Sequence, residues 1–326
     1  MKKMLVLLLG LISALSFFSV ALAAEQVDFY ANITAIQPII DDFNAGQDDI
    51  DTVYTRISTS KYLATVLTEF SAGKLKADVL QSPLPIMQML KEKGVFAPYK
   101  SPIAAGYPAW AQKDDTITQF GIEYVAPIYN KELVKPEDVP TKYMDMTDPK
   151  WYDKIVMPDP SSHATTISWL VGLKDAKIFG DDEGWMKFVK GLAANKPMFV
   201  KSFGPTPAPI ESGEKWLGIS MPKYIITKAP APLDWARVET LLGTPRGIAI
   251  AANASNPEAA KAFVDYWLST RAMQLLSSKV GEYVLAPGVF PPIDGMDKAK
   301  VLPIRVLSDA EIRQWGKEFH KIFYAK

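Results

Sequence analysis

Short runs of alternating apolar and polar residues give way, again and again along this chain, to apolar residues spaced three and four apart. Val27-Asp28-Phe29-Tyr30 reads as a strand, and Ile36, Ile39, Ile40 and Phe43 then share one helical face. Thr34 and Gln37 have the spacing of a capping box for that helix, Pro38 is tolerated near its first turn, and Gly46 ends it. Residues 53–57 form a second strand. Ser58-Thr59-Ser60 leads into a helix whose apolar face is Leu63, Val66, Leu67 and Phe70, with Gly73 just past its end. Ala77-Asp78-Val79-Leu80 is a third strand, leaving Gln81-Ser82-Pro83 at its carboxyl end. This βαβαβ rhythm predicts an α/β fold built on a parallel sheet flanked by helices. In such sheets ligands sit beyond the carboxyl ends of the strands, which places Asn32, Ser58, Thr59, Ser60, Gln81 and Ser82 at one rim.

The pattern resumes after two further apolar runs, at 121–130 and 247–251, which are expected to be crossings between two halves of the molecule. Between them Ile155-Val156-Met157 forms a strand, stopped by Pro158 and Pro160. Ser161 and Ser162 are expected to cap a helix burying Ile167, Leu170 and Val171. A helix start of this kind, with His163 beside it, favours anions because its N–H groups are unpaired and point outward. A helix around Trp185, Phe188, Val189 and Leu192 and a strand at 216–220 follow. Asn256-Pro257 opens a helix with Ala260, Phe263, Val264 and Trp267 on its face. Ser308 and Glu311 form a capping box for the last helix, which buries Ile312, Trp315, Phe319 and Ile322.

The N-terminus has its own pattern. Lys2-Lys3, an apolar stretch over 4–20 and Ala21-Leu22-Ala23 constitute a secretory signal peptide with cleavage after Ala23. The chain has no cysteine, which excludes a lipid-modified N-terminal Cys, disulfides and thiolate metal sites. An exported, unanchored chain of this kind is expected in the periplasm. Without Lys2 and Lys3 the 36 acidic residues face 34 basic ones, a balance that points to neither nucleic acid nor a membrane surface. No G-x-S-x-G elbow is present, Gly218-Ile219-Ser220-Met221-Pro222 lacking the last Gly, and there is no H-E-x-x-H, Walker loop or G-x-G-x-x-G. The expectation is a protein that is not an enzyme and carries no cofactor.

Several blocks, in order, carry a family resemblance: Ala77-Asp78-Val79, 94–102 (GVFAPYKSP), 129–134 (YNKELV), 148–151 (DPKW), 159–162 (DPSS) and 256–265 (NPEAAKAFVD). Together they resemble the ferric-type group of bacterial extracellular solute-binding proteins, the periplasmic receptors of ABC importers. The resemblance implies the type II periplasmic-binding-protein fold: two α/β lobes, each a mostly parallel sheet flanked by helices, joined by hinge strands. The expected division is a signal peptide over 1–23, lobe 1 from 24–121 plus 248–305, and lobe 2 from 122–247 plus 306–326. The implied action is that of a monomer whose lobes close over one ligand and which docks transiently on an inner-membrane permease.

Ferric-binding members of the resembled group use a Tyr-Tyr pair just after a strand, with a His and a Glu from the first lobe. Here Lys223 stands in place of the first Tyr, Pro83 or a neighbour occupies the Glu position, and no His follows Phe29-Tyr30. Hard Fe³⁺ needs anionic oxygens, and Lys223 would repel it. Lys201-Ser202, Lys223 and Arg246, read as turn residues near strand ends, point instead to a phosphate ester, phosphonate or carboxylate, with Tyr30, Phe203 and Tyr224 placed to pack an organic body. The expected ligand set is therefore Asn32, Ser58, Thr59, Ser60, Gln81, Ser82, Ser161, Ser162, His163, Phe203, Lys223, Tyr224 and Arg246, with no metal. The alternatives are ferric import, with Tyr224 as a ligand, and a ligand-sensing receptor subunit.

Overall fold

The structure, a computed structural model, describes residues 24–325; the expected signal peptide and Lys326 lie outside them. Its strands are β1 (Glu25–Ala31), β2 (Ile50–Arg56), β3 (Val79–Pro83), β4 (Thr118–Asn130), β5 (Ile155–Pro158), β6 (Met198–Val200), β7 (Leu217–Ser220), β8 (Leu233–Trp235), β9 (Leu241–Ile250), β10 (Tyr283–Val284) and β11 (Val301–Pro303). β1 lies parallel to both β2 and β3, with Tyr30 opposite Thr55 on one side and Leu80 on the other. Parallel neighbours need a crossover, and the helices Gln37–Ala45 and Thr59–Ser71 supply it.

Strand pairing runs β2-β1-β3-β9-β4-β7-β5-β6. The long β4 links the two ends of that order. Its residues up to Val125 pair antiparallel with β9, while Ala126 and those after it pair with β7 and β8. Beyond it β7, β5 and β6 run parallel. The fold is thus α/β with a mixed sheet: the outer strands are parallel, and the two central ones, β4 and β9, are antiparallel.

The alternation read in the sequence is visible in the packing. Val27, Phe29 and Ala31 of β1 enter the larger core, while Tyr30 enters a second, smaller one with Tyr62, Val66 and Leu80. On the first face Phe29 meets Phe263 and Trp267 of the helix Pro257–Trp267 edge-on, at 5.0 and 5.1 Å between ring centroids. Burying each such ring is worth about 1.5–3 kcal/mol, which fixes the register of β1. The last helix, Asp309–Phe323, begins with the expected Ser308/Glu311 box. It sets Trp315 5.5 Å from Trp185 of the helix Asp182–Ala194.

Three local expectations are corrected. The first helix is capped by Ile36 without a side-chain bond, not by Thr34. A start at Thr34 would put Pro38 where the first intrahelical N–H is required, so the helix begins later and Pro38 falls in its first turn. Ser161 and Ser162 do not cap the helix after β5. The Asp159 carboxylate accepts from the Ser161 N–H and hydroxyl at 2.8 and 2.7 Å, the Asp159 carbonyl holds Ser162 and His163, and the helix starts at Ala164 with His163 as its cap. Finally, β3 is shifted towards its carboxyl end. β9 continues the ladder to Pro83, so Gln81 and Ser82 are buried strand residues rather than rim residues.

Candidate ligand-binding site

A cavity of about 750 Å³ opens at the carboxyl ends of the parallel strands. One wall comes from Asn32 after β1, Arg56 at the end of β2, Ser58 and Thr59 beyond it, and Pro83 ending β3. The facing wall is made of His163, Ala164, Thr165 and Ser168 after β5, Ser202, Phe203 and Gly204 after β6, and Met221, Lys223 and Tyr224 after β7. Glu123 of β4 with Thr244 and Arg246 of β9 forms the floor, and the chain from Ile304 to Leu307 lines one side.

The floor carries a group of four charges, of which Arg246 and Glu282 are buried and Lys223 and Glu123 half-buried. Arg246 Nη2 donates to Glu123 Oε1 at 2.7 Å, its Nε donates to Glu282 Oε2 at 3.2 Å, and its Nη1 donates to Asn32 Oδ1 at 3.1 Å. Lys223 Nζ lies 3.3 Å from Glu282 Oε1 and 3.8 Å from Glu123 Oε1. Arg246 and Glu282 are each only 2% exposed, so neither charge survives there without the other. Burial alone would raise the Glu282 carboxyl, but Arg246 and Lys223 outweigh it and hold the group below its ordinary value. By the same balance Lys223 is raised: burial works against its charge, and Glu282 and Glu123 prevail.

At the facing wall, His163 Nδ1 accepts the Thr166 N–H at 3.3 Å and lies 2.8 Å from the Thr166 hydroxyl, while its ring meets Phe203 edge-on at 5.1 Å. Burial pushes its pKa below 6.5, against the smaller opposing pull of Glu123 and Asp159. With Nδ1 accepting the Thr166 N–H, His163 caps the helix in its neutral form, which carries the ring proton on Nε2. Among the described residues the N–H groups of Ala164 and Thr165, the first two of the helix Ala164–Asp175, donate to nothing within the protein, and both residues line the cavity.

Of the residues expected from sequence, Asn32, Ser58, Thr59, His163, Phe203, Lys223, Tyr224 and Arg246 line this one cavity. Gln81, Ser82, Ser161 and Ser162 do not. Gln81 supports Asn32 from behind by accepting its N–H at 3.3 Å, and the side chain of Ser60 lies outside the described ones. Tyr30 also stays away from the cavity, its hydroxyl 3.3 Å from Glu69. Arg246 is not a turn residue but a buried member of β9, and each of its three nitrogens donates to a protein group. Sequence reasoning missed Arg56, Glu123 and Glu282. A lone carboxylate inside the apolar run 121–130 was the available signal for Glu123, and Arg56 directly precedes the hydroxyl-rich segment 58–60. Glu282 had no such signal.

A model of the bacterial extracellular solute-binding protein family matches residues 76–306. The chain belongs to that family. It is similar to a probable ABC transporter periplasmic-binding protein, y4fP, of Sinorhizobium fredii, with 27% identity over 62% of this chain and 58% of the relative. It is also similar to iron uptake protein A1 of Synechocystis, with 27% identity over 65% of this chain and 63% of that protein. The match thus spans about three fifths of each curated relative's length. Among solved structures, a substrate-binding protein of an ABC transporter from Agrobacterium tumefaciens superposes with a TM-score of 0.74 at 17% identity, covering 94% of this chain and 96% of that one. Ferric-binding proteins recur among the other structures sharing the fold. In this family member no group of three or more His, Cys, Asp or Glu side chains is arranged for a metal among the described residues, and no described helix is long and apolar enough to cross a membrane.

Proposed function

We propose that this protein is the periplasmic, monomeric ligand-capturing component of an ABC importer, and that it binds a small organic anion without turning it over. The importer assignment is supported by family membership and by the name of the Sinorhizobium relative. The anion reading is carried by one observation: the unbonded N–H groups of Ala164 and Thr165 open the positive end of a 12-residue helix onto the cavity. Such a helix end contributes roughly 0.3–2 kcal/mol, and charge-assisted hydrogen bonds roughly 1.5–3 kcal/mol each. A few together reach the ~8 kcal/mol of micromolar affinity after association costs.

Lobe 1, in this proposal, is 24–121 plus 248–305, and lobe 2 is 122–247 plus the C-terminal helix, with the cavity between them. Closure over the ligand is the state that the permease reads. Ferric ion is the less favoured ligand despite the name of the Synechocystis relative. Tyr224 is accompanied at the cavity by Lys223 rather than by a second phenol, and both floor carboxylates already hold cations.

The test is calorimetric titration of the purified protein with phosphate esters, phosphonates, carboxylates and Fe³⁺-citrate, beside mass spectrometry of whatever co-purifies. Anion binding that raises the melting temperature, with no product formed over hours, is the expected result. Tight iron binding with a tyrosinate charge-transfer band would overturn it.

A further inference from the structure

We propose that Arg56 holds the ligand's charge, and that the ligand is an organic monoanion with an apolar body. This rests on the reading above that an anion occupies the cavity, and it adds which residue selects the charge and how much charge is accepted.

Among the described residues four cationic ones line the cavity: Arg56, Lys223, Arg246 and Arg305. Three are already neutralised by the protein. Arg246 and Lys223 share Glu123 and Glu282 in the floor. Arg305 is held between Asp175 and Glu311, both at 2.7 Å. A compensated cation attracts a further anion weakly, because the incoming charge also meets the carboxylates already in place. Arg56 alone of the four has no ion pair or hydrogen bond to its side chain among the described residues, and it is exposed.

Its placement is fixed by the sheet. Arg56 is the last residue of β2, in register with Ala31 at the end of β1. The next residue closes the ladder through the Ile57 N–H to the Ala31 carbonyl at 2.9 Å. Arg56 therefore stands at the carboxyl end of the sheet on one wall, while the free N–H groups of Ala164 and Thr165 belong to the other. One full positive charge and roughly half a charge from the helix end sum to about 1.5, enough for one negative charge and short of two. A second negative charge would face Glu123, which lines the floor with its side chain 18% exposed. The rest of the lining is mixed: Ile33, Ile86, Phe203, Ile304, Leu307 and Ile312 offer apolar surface to a hydrocarbon body, beside hydroxyls such as those of Thr165, Ser168 and Ser202.

The experiment measures thermal shift and calorimetric affinity for butyrate, benzoate and monomethyl methylphosphonate against succinate, phenylphosphate and inorganic phosphate. Wild type, Arg56→Ala and Arg56→Lys are compared. Because Arg56 is exposed and makes no internal contact of this kind, the variants are expected to melt with wild type when no ligand is added. The monoanions should bind more tightly than the dianions, Arg56→Ala should weaken them at least tenfold, and Arg56→Lys should recover most of the loss. Dianions that bind as tightly as monoanions, or Arg56→Ala binding that equals wild type, would overturn this proposal while leaving the anion reading intact. Absence of binding by every anion, alongside tight Fe³⁺-citrate binding, would remove both.

Discussion

Arg246 Nη2 and Glu123 Oε1 lie 2.7 Å apart across the ladder joining β9 to β4, although the residues are 123 positions apart in sequence. The pair ties the two central strands together at the floor of the cavity, and Glu282 completes it from a third segment. Removing one partner from such a group leaves a carboxylate buried without its cation. Arg246→Ala is therefore expected to lose about 3–5 kcal/mol of stability in urea denaturation. A loss below about 1 kcal/mol would mean that the group is solvated and does not hold the floor.

Acid should weaken the same group, with a definite sign. Glu282 is held below its ordinary value of 4.5, where burial opposes the charge and Arg246 with Lys223 prevails. A carboxyl lowered in this way binds fewer protons folded than unfolded. Its contribution is complete above about 4.5 and is lost as the pH falls through the lower folded value. Urea midpoints between pH 7 and pH 3 should fall more steeply for wild type than for Glu282→Gln, which starts less stable. Parallel curves would assign the acid sensitivity elsewhere.

His163 is the second titratable group with a readable direction. Its folded pKa lies below 6.5, chiefly through burial, so the folded state takes up its proton later than the unfolded chain does. Stability from this residue is present above about 6.5 and is lost as the pH falls below it, when Nδ1 ceases to accept the Thr166 N–H. The protein has only two histidines, so the two imidazole signals can be followed by NMR. One of them should keep its neutral-form shift to below pH 6.5 and vanish in His163→Ala; titration of both above that value would refute the assignment.

Gly243 sits where the two central strands leave no room for a side chain. A β-carbon there would stand 2.4 Å from the Glu123 carbonyl oxygen and 2.5 Å from Tyr124 Cα, both of which are backbone atoms. Gly243→Ala must push β4 and β9 apart, at a cost of about 1–3 kcal/mol or more, whereas Gly73→Ala meets no atom within 4 Å and is strained only by its positive φ. Chemical denaturation of both variants, with crystallographic strand separation for the first, checks the contrast. An unchanged Gly243→Ala would show that the ladder has slack.

Much of the fold was legible because periodicity is local. Phe29 and Tyr30 point to opposite cores for the same reason that their spacing reads as a strand, and the Ser308/Glu311 box needs only four residues to be recognised. Among the expected site residues that line the cavity, Asn32, Ser58 and Thr59 were legible because strand ends and helix starts are written in hydroxyl, amide and Gly/Pro positions. The family resemblance rested on ordered blocks, and the match over residues 76–306 bears it out.

The sequence by itself therefore determined the α/β class, the strand order's parallel beginning and some of the segments that meet at the cavity. Tertiary structure alone decided which cations in those segments remain available to a ligand. Lys223 and Arg246 are visible as positive charges in sequence, but the carboxylates that neutralise them come from β4 and from the segment after Val280, distant along the chain. Charge is a property of a residue, whereas compensation is a property of distance. Distance between segments is set by which strands pair, and so Arg56 rather than Arg246 emerges as the uncompensated cation only once β9 is seated between β3 and β4.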